Sequence, residues 1–297
     1  MAFTCFGEIL WDIFPDRRHL GGAPLNVAYY LNQLGNDSLL ISAIGEDKLG
    51  FEALEAISAA GIATDSIIRI PNKETGQVLV SLDQAGCASY EFKADAAWDY
   101  IEPPIGEIKP GENHTLVFGS LAGRSAHNLQ TLNTLLSGYK HRVFDLNLRP
   151  PFDDLDLCLR LMRAAELVKV NDDELALLCE HLAISETDLP GQLRAVLDHC
   201  QSDSICVTRG SDGAALLHHN EFYSHAGYPV EVVDTVGAGD AFLAGLISEL
   251  ASSGDAARAL TVACAVGSIV AGQAGAQSPI SVQRIDELIS HLGPTAA

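Results

Sequence analysis

Asp234-Thr235-Val236-Gly237-Ala238-Gly239-Asp240 leads without a break into residues 241–250, where Phe242, Leu243, Leu246, Ile247 and Leu250 recur at helical spacing. The segment reads as a glycine turn feeding a helix. Gly237, Ala238 and Gly239 then set main-chain N–H groups at the positive end of a helix dipole, which is a seat for an anion. A carboxylate at Asp240 would repel a resting phosphate there unless its task is to take a proton. Two readings stand on this segment alone. Asp240 is a catalytic base beside an anion hole, or it merely complements the dipole while the glycines make the turn.

Outward from this segment the chain alternates. Apolar runs at 3–6, 9–14, 39–43, 115–119, 142–146, 167–170, 205–208 and 214–217 read as strands, and helical patterns such as 27–34, 51–57, 129–136 and 155–165 lie between several of them. Strand, turn and helix in succession predict a mainly parallel central sheet covered by helices, an α/β fold. Over 64–99 the period becomes alternating, at Ile68 and Ile70, then Val78, Val80 and Leu82, then Tyr90 and Phe92, with a turn at Asp83-Gln84-Ala85-Gly86. This excursion predicts a small antiparallel sheet, built from about 12–20 and 64–99, that projects as a lid or a homodimer surface. An antiparallel edge on the main sheet is the alternative. No linker, repeat or low-complexity segment divides 1–297, so a single domain is expected.

Composition narrows the partners. With 47% hydrophobic residues the chain is expected to pack as a globular protein, and a net charge of -21, from 39 acidic and 18 basic residues, argues against nucleic acid and anionic membranes. The same charge means that a phosphate substrate must be neutralised locally, by metal ions, helix N-termini and a few placed cations. Seven cysteines without a Cys-x-x-Cys pair fit reduced, buried thiols. The first residues lack a basic leader followed by an apolar core, and the weakly polar run 260–271 is too short to span a bilayer, so a cytoplasmic protein is expected.

Polar residues gather at predicted strand ends, at Gly119-Ser120, Asp145-Leu146-Asn147-Leu148-Arg149 and Lys169-Val170-Asn171-Asp172-Asp173-Glu174, where open α/β sheets bind ligands. Asn171 and Glu174 lie on one face of a helical turn and could reach a hydrated magnesium ion. The common phosphate loop, the dinucleotide fingerprint, Gly-x-Ser-x-Gly and His-Glu-x-x-His are all absent.

With these residues in hand, the chain resembles the ribokinase, or PfkB, family of sugar kinases over nearly its whole length. Both family signatures are present, Gly21-Gly22-Ala23-Pro24-Leu25-Asn26-Val27-Ala28 early and Asp234 to Asp240 late, and Gly45 to Gly50 and Asn171 to Glu174 match two further motifs. The resemblance implies a ribokinase-like three-layer sandwich with a small antiparallel β lid. It further implies that Asp240 accepts the proton of a sugar hydroxyl, with Gly237, Ala238 and Gly239 as the anion hole, and that Asp12, Gly22, Asn26 and Arg149 hold the sugar. Taken alone, Asp12 is equally an ordinary strand-end carboxylate and Arg149 a surface ion-pair partner. Asn171, Thr208, Gly210, Gly213 and Cys264 would line the ATP site. Asn171 and Glu174 would serve Mg2+ through water, and Asp234, Gly275 and Ser278 a monovalent cation, K+. Cys264 stands where relatives often carry Asn or His, and Val236 where some carry Thr. The opening Gly7-Glu8-Ile9-Leu10-Trp11-Asp12 and the segment 90–98 look most like fructokinases, which implies ATP-dependent conversion of fructose to fructose 6-phosphate. Ribose, a nucleoside or 2-keto-3-deoxygluconate are alternative substrates, and a sugar or nucleotide sensor without catalysis is the alternative of another class.

Overall fold

Buried, largely apolar runs form the strands of a nine-stranded sheet in the order β13-β12-β11-β10-β9-β8-β1-β4-β5. The computed structural model describes residues 1–82, 88–103, 111 and 113–291; the turn expected at Asp83-Gln84-Ala85-Gly86 lies outside them. The strands are β1 (Ala2–Phe6), β4 (Asp37–Gly45), β5 (Ile67–Ile70), β8 (His114–Gly119), β9 (His141–Asp145), β10 (Leu167–Asn171), β11 (Ser204–Thr208), β12 (Ala214–His218) and β13 (Glu221–His225). Pairing is parallel from β11 through to β5, and β12 and β13 add an antiparallel edge.

Each face of the sheet carries its own core. On one side pack α1 (Ala23–Gln33), α2 (Lys48–Ala59), α7 (Ala238–Ser253), α8 (Ala256–Ala271) and α9 (Val282–His291); on the other, α3 (Ala126–Gly138), α4 (Leu155–Met162), α5 (Asp172–His181) and α6 (Leu189–Cys200). The three layers follow from strands that are apolar on both faces. Phe51, expected on the inner face of α2, is instead 47% exposed, with the Arg69 guanidinium 6.0 Å over its ring.

The second sheet is β3-β2-β6-β7, from β2 (Leu10–Ile13), β3 (Arg18–Gly21), β6 (Gly76–Leu82) and β7 (Ala88–Phe92). The β2–β3 and β6–β7 pairs are antiparallel, and β2 and β6 run parallel. The expected span 64–99 contributes less than anticipated: β5, with Ile68 and Ile70, pairs in parallel with β4 and extends the main sheet. Its alternation reflects an edge position with one covered face, which looks the same in sequence as a lid strand.

Chain order reverses between β1 and β8, so the carboxyl ends of the central strands open onto a switch point where ligands collect. The helix starts there differ from the others. Asp47, Ser125, Asp154, Asn171, Asp188 and Asp255 cap α2, α3, α4, α5, α6 and α8 with side-chain oxygens. Helices α1 and α7 instead begin at Gly22 and Gly237, neither with a side-chain cap. The first turn of α7 therefore keeps backbone donors free of a side-chain cap, whereas at α1 the Glu8 carboxylate accepts from Ala23 N–H and Pro24 has no donor.

Candidate active site

Gly237 has φ 79°, and a Cβ built on it would lie 2.4 Å from the carbonyl oxygen of Ala276. Only glycine lets the turn approach the loop 274–278 this closely. Tyr30 holds that loop from α1: its hydroxyl donates to the Ala276 carbonyl (2.9 Å) and accepts from Ser278 N–H (3.1 Å). Of the expected anion-hole donors, Ala238 N–H points instead at the Thr235 carbonyl (3.2 Å). Among the described residues the N–H groups of Gly237 and Gly239 meet no protein acceptor. Of the three expected donors two are thus left open, because the tight turn itself engages the one between them.

Asp240 sits in the first turn of α7, only 9% exposed. Asn26 of α1 donates to its Oδ2 at 2.8 Å, and Gln277 donates to the Asn26 carbonyl oxygen at 3.1 Å. Burial, then the charge of Asp145, raise the Asp240 carboxyl to about 6, against the opposing effects of Asn26, Lys169 and Arg149. A rise of that size favours the protonated form by about 3 kcal/mol. Since the folded value exceeds the unfolded one, the associated loss of stability grows from about pH 4 to about pH 6 and is constant above. The fold therefore keeps a base at neutral pH at a cost to itself.

Early in the chain, Gly22 (φ 114°) lies against the Glu8 carbonyl, 2.3 Å from where a Cβ would stand, and the Glu8 carboxylate accepts from Ala23 N–H (3.0 Å). Burial lifts Glu8 to about 7 and Asp12, on β2, to about 6; the nearby Arg149 guanidinium opposes both. Arg149 is exposed and donates to the Leu148 carbonyl, with no carboxylate partner among the described residues. Asp12, Gly22, Asn26, Arg149 and Asp240 are thus brought to one place, although Asp12 comes from the small sheet. Glu8 joins them unforeseen; the signal available was an ionisable residue two positions after the apolar run 3–6.

Asn171 and Glu174 form a capping box: Asn171 Oδ1 accepts from Glu174 N–H (2.8 Å), and Glu174 accepts from Asn171 N–H (2.9 Å) and Leu148 N–H (2.7 Å). Their spacing is explained by the helix start alone. Glu174 is buried, and no group of three His, Cys, Asp or Glu side chains among the described residues could hold a metal ion. Such a site suits a magnesium ion that keeps its water and rests mainly on nucleotide phosphates, not a protein cage. Asp234 meets the 274–278 loop as expected. Its oxygens accept from Val236 N–H (3.0 Å) and Gly275 N–H (3.0 Å), while Ser278 Oγ donates to the Ala274 and Gly275 carbonyls. Carboxylate and carbonyl oxygens of Asp234, Ala274 and Gly275 thus gather here, together with the N–H groups of Val236 and Gly275 that bond the carboxylate.

Thr208, Gly210 and Gly213 form the turn between β11 and β12, and Gly213 (φ 78°) passes so near His225 that a Cβ would lie 2.0 Å from its carbonyl oxygen. Cys264, on α8, is buried within electrostatic reach of Arg209, and burial pushes its thiol up to about 12. Arg209 Nε, His225 Nε2 and the Tyr228 hydroxyl are buried there without a protein partner. Sequence spacing gave no hint of this trio, which fits a polar ligand lodged beside the turn.

A switch-point cleft with a bare helix start, a buried carboxylate and a second glycine turn is the arrangement expected of a phosphotransferase of the ribokinase-like class. The chain belongs to the pfkB family of carbohydrate kinases, whose sequence model matches residues 14–283. It is similar to the fructokinase of Salmonella typhimurium, 27% identical over 298 residues that cover 94% of this chain and 95% of the relative. It is also similar to the ATP-dependent ribose-1-phosphate kinase of Halopiger xanaduensis, 29% identical over 94% of this chain and 89% of that one. The crystal structure of fructokinase with bound ATP from Xylella fastidiosa superposes with a TM-score of 0.85 at 24% identity, covering 97% of this chain and 98% of that chain. No helix among the described residues is long and apolar enough to cross a membrane.

Proposed function

We propose that this sugar kinase uses ATP to phosphorylate a free sugar, with fructose at its 6-hydroxyl as the favoured acceptor. The observation that carries the reading is Asp240, a buried carboxylate fixed by Asn26 and set beside the unpaired N–H groups of Gly237 and Gly239. The sugar O–H bond breaks as its proton passes to Asp240, the oxygen bonds to the γ-phosphorus, and the bond to ADP breaks. Gly237 and Gly239 donate to the oxygens on which charge accumulates. Asp12, Gly22, Asn26 and Arg149 orient the sugar, and Thr208, Gly210, Gly213 and Cys264 line the nucleotide site. Magnesium, held through water by Asn171 and Glu174, would supply charge neutralisation of the phosphates when bound, and Asp234, Gly275 and Ser278 would hold potassium.

An unphosphorylated acceptor agrees with the charges near the small sheet, where Arg18 pairs with Glu52, Lys73 with Asp95 and Lys93 with Glu74. The second reading, a sugar phosphate, is favoured by Arg149, which has no carboxylate partner among the described residues. ADP release with fructose, ribose, adenosine, 2-keto-3-deoxygluconate and ribose 1-phosphate separates them. Fructose is expected to give the highest kcat/KM, and a higher value for ribose 1-phosphate would replace the reading. Because the base must be ionised, kcat/KM should fall below about pH 6 as Asp240 takes its proton. Repeating the assay in tetramethylammonium in place of potassium checks the cation.

The small sheet acts in this proposal as a lid that carries Asp12 over the sugar. Adding fructose should then raise amide protection in β2, β6 and β7; unchanged exchange there would leave the sheet a static wall.

A further inference from the structure

Lys169 lies within the buried strand β10, and the sugar-kinase reading leaves it without a task. Its register partner on β9 is Asp145, so the two side chains project from the same face of the sheet. The ammonium donates to both carboxylate oxygens, at 3.0 and 3.2 Å, with the side chains 7% and 5% exposed. A buried charge is tolerated when paired, but a buried pair can give up more hydration than its attraction returns, so stability is a weak reason for this one. Its location suggests another. The Nζ atom stands 3.4 Å from where a Cβ on Gly239 would be, so the glycine leaves the ammonium uncovered toward the turn.

Resting on the kinase reading above, we propose that Lys169 is a positioning residue for phosphoryl transfer. Its fixed positive charge backs the anion hole from beneath Gly239 and keeps Asp240 in its proton-accepting form against the charge of Asp145.

The electrostatics agree with that geometry. Asp240 is faced by Asp145 from β9, Lys169 from β10, Arg149 beyond β9, Glu8 after β1 and Tyr30 from α1. Asp145 and Lys169 act on it with opposite sign. Removing each member in turn should therefore shift Asp240 in opposite directions, which shows that both charges reach it, and the loss of kcat when both are removed reads the positioning role.

The test reads Asp240 directly, through the carbon-13 resonance of its carboxyl group in the ligand-free protein, assigned with Asp240→Asn. The titration midpoint is expected to rise by about half a pH unit or more in Lys169→Met and to fall in Asp145→Asn. Midpoints that stay within about 0.3 of the wild type in both, or that move the same way, overturn the proposal. Lys169→Met strands a buried carboxylate and can unfold the chain, so Asp145→Asn/Lys169→Met, which removes both charges, is the second variant. With circular dichroism and ATP affinity retained, its kcat on the best sugar should drop at least about tenfold; a kcat within about twofold of wild type also overturns the proposal. Wild-type protein that phosphorylates no sugar would sink the kinase reading alone, since the midpoints are measured without turnover.

Discussion

Asp240→Ala is expected to lower kcat by at least about 10²-fold while the protein stays folded. In the proposed mechanism this carboxylate takes the hydroxyl proton, and among the described residues it is the acceptor that Asn26 Nδ2 bonds. Two effects on stability oppose each other. Removing a buried carboxylate whose ionisation is disfavoured helps the fold at neutral pH, and leaving the Asn26 amide without its acceptor costs about 1–3 kcal/mol. The thermal midpoint should therefore move little, which makes kcat the informative quantity. KM for the sugar should change less than kcat, because the proton is transferred only on the way to the transition state. A mutant that turns over normally would remove Asp240 as the base. A wild-type chain that binds sugar and ATP but releases no ADP would favour the sensor instead.

Gly237→Ala is expected to lose activity as severely, for a steric reason. The residue sits at φ 79°, and the added Cβ would meet the Ala276 carbonyl oxygen at 2.4 Å and its Cα at 2.9 Å. Both are backbone atoms that cannot rotate aside. Either the turn or the 274–278 loop must move, carrying the Gly237 N–H away from the phosphoryl group; loss of one such donor lowers kcat by about 10²–10³-fold. Left-handed backbone at a non-glycine residue adds about 1–2 kcal/mol of destabilisation. Gly254→Ala, at the other end of α7, is the control. It has φ 69° but open space around the new Cβ, so it should lose stability without losing kcat. Equal kcat losses in the two variants would mean that strain on α7, not the closeness of Ala276, sets the effect.

Much of this was legible along the chain. The glycine turn at 237–239, the helix behind it and the alternation of strands and helices follow from local rules, because φ preference and side-chain period are properties of neighbouring residues. The Gly21–Ala28 and Asp234–Asp240 signatures converge, as expected, through packing of α1 on α7 and the Asn26 to Asp240 bond. Other assignments needed the third dimension. Ala238 N–H looked identical to its neighbours until its turn partner, Thr235, was fixed in space. Asn171 and Glu174 have the spacing of a metal pair and of a capping box alike, and only hydrogen-bond directions reveal the box. Ile68 and Ile70 alternate like lid strands yet extend the main sheet, since a period of two does not name the partner strand.

The sequence by itself determined that 237–240 would form a donor-rich helix start with a carboxylate beside it, because glycine conformation and helix polarity are local. The tertiary structure alone decided how readily that carboxylate would hold a proton. Its burial, the amide of Asn26, the charge of Asp145 and the counter-charge of Lys169 come from α1, β9 and β10, and electrostatic environment is a sum over neighbours in space, not along the chain.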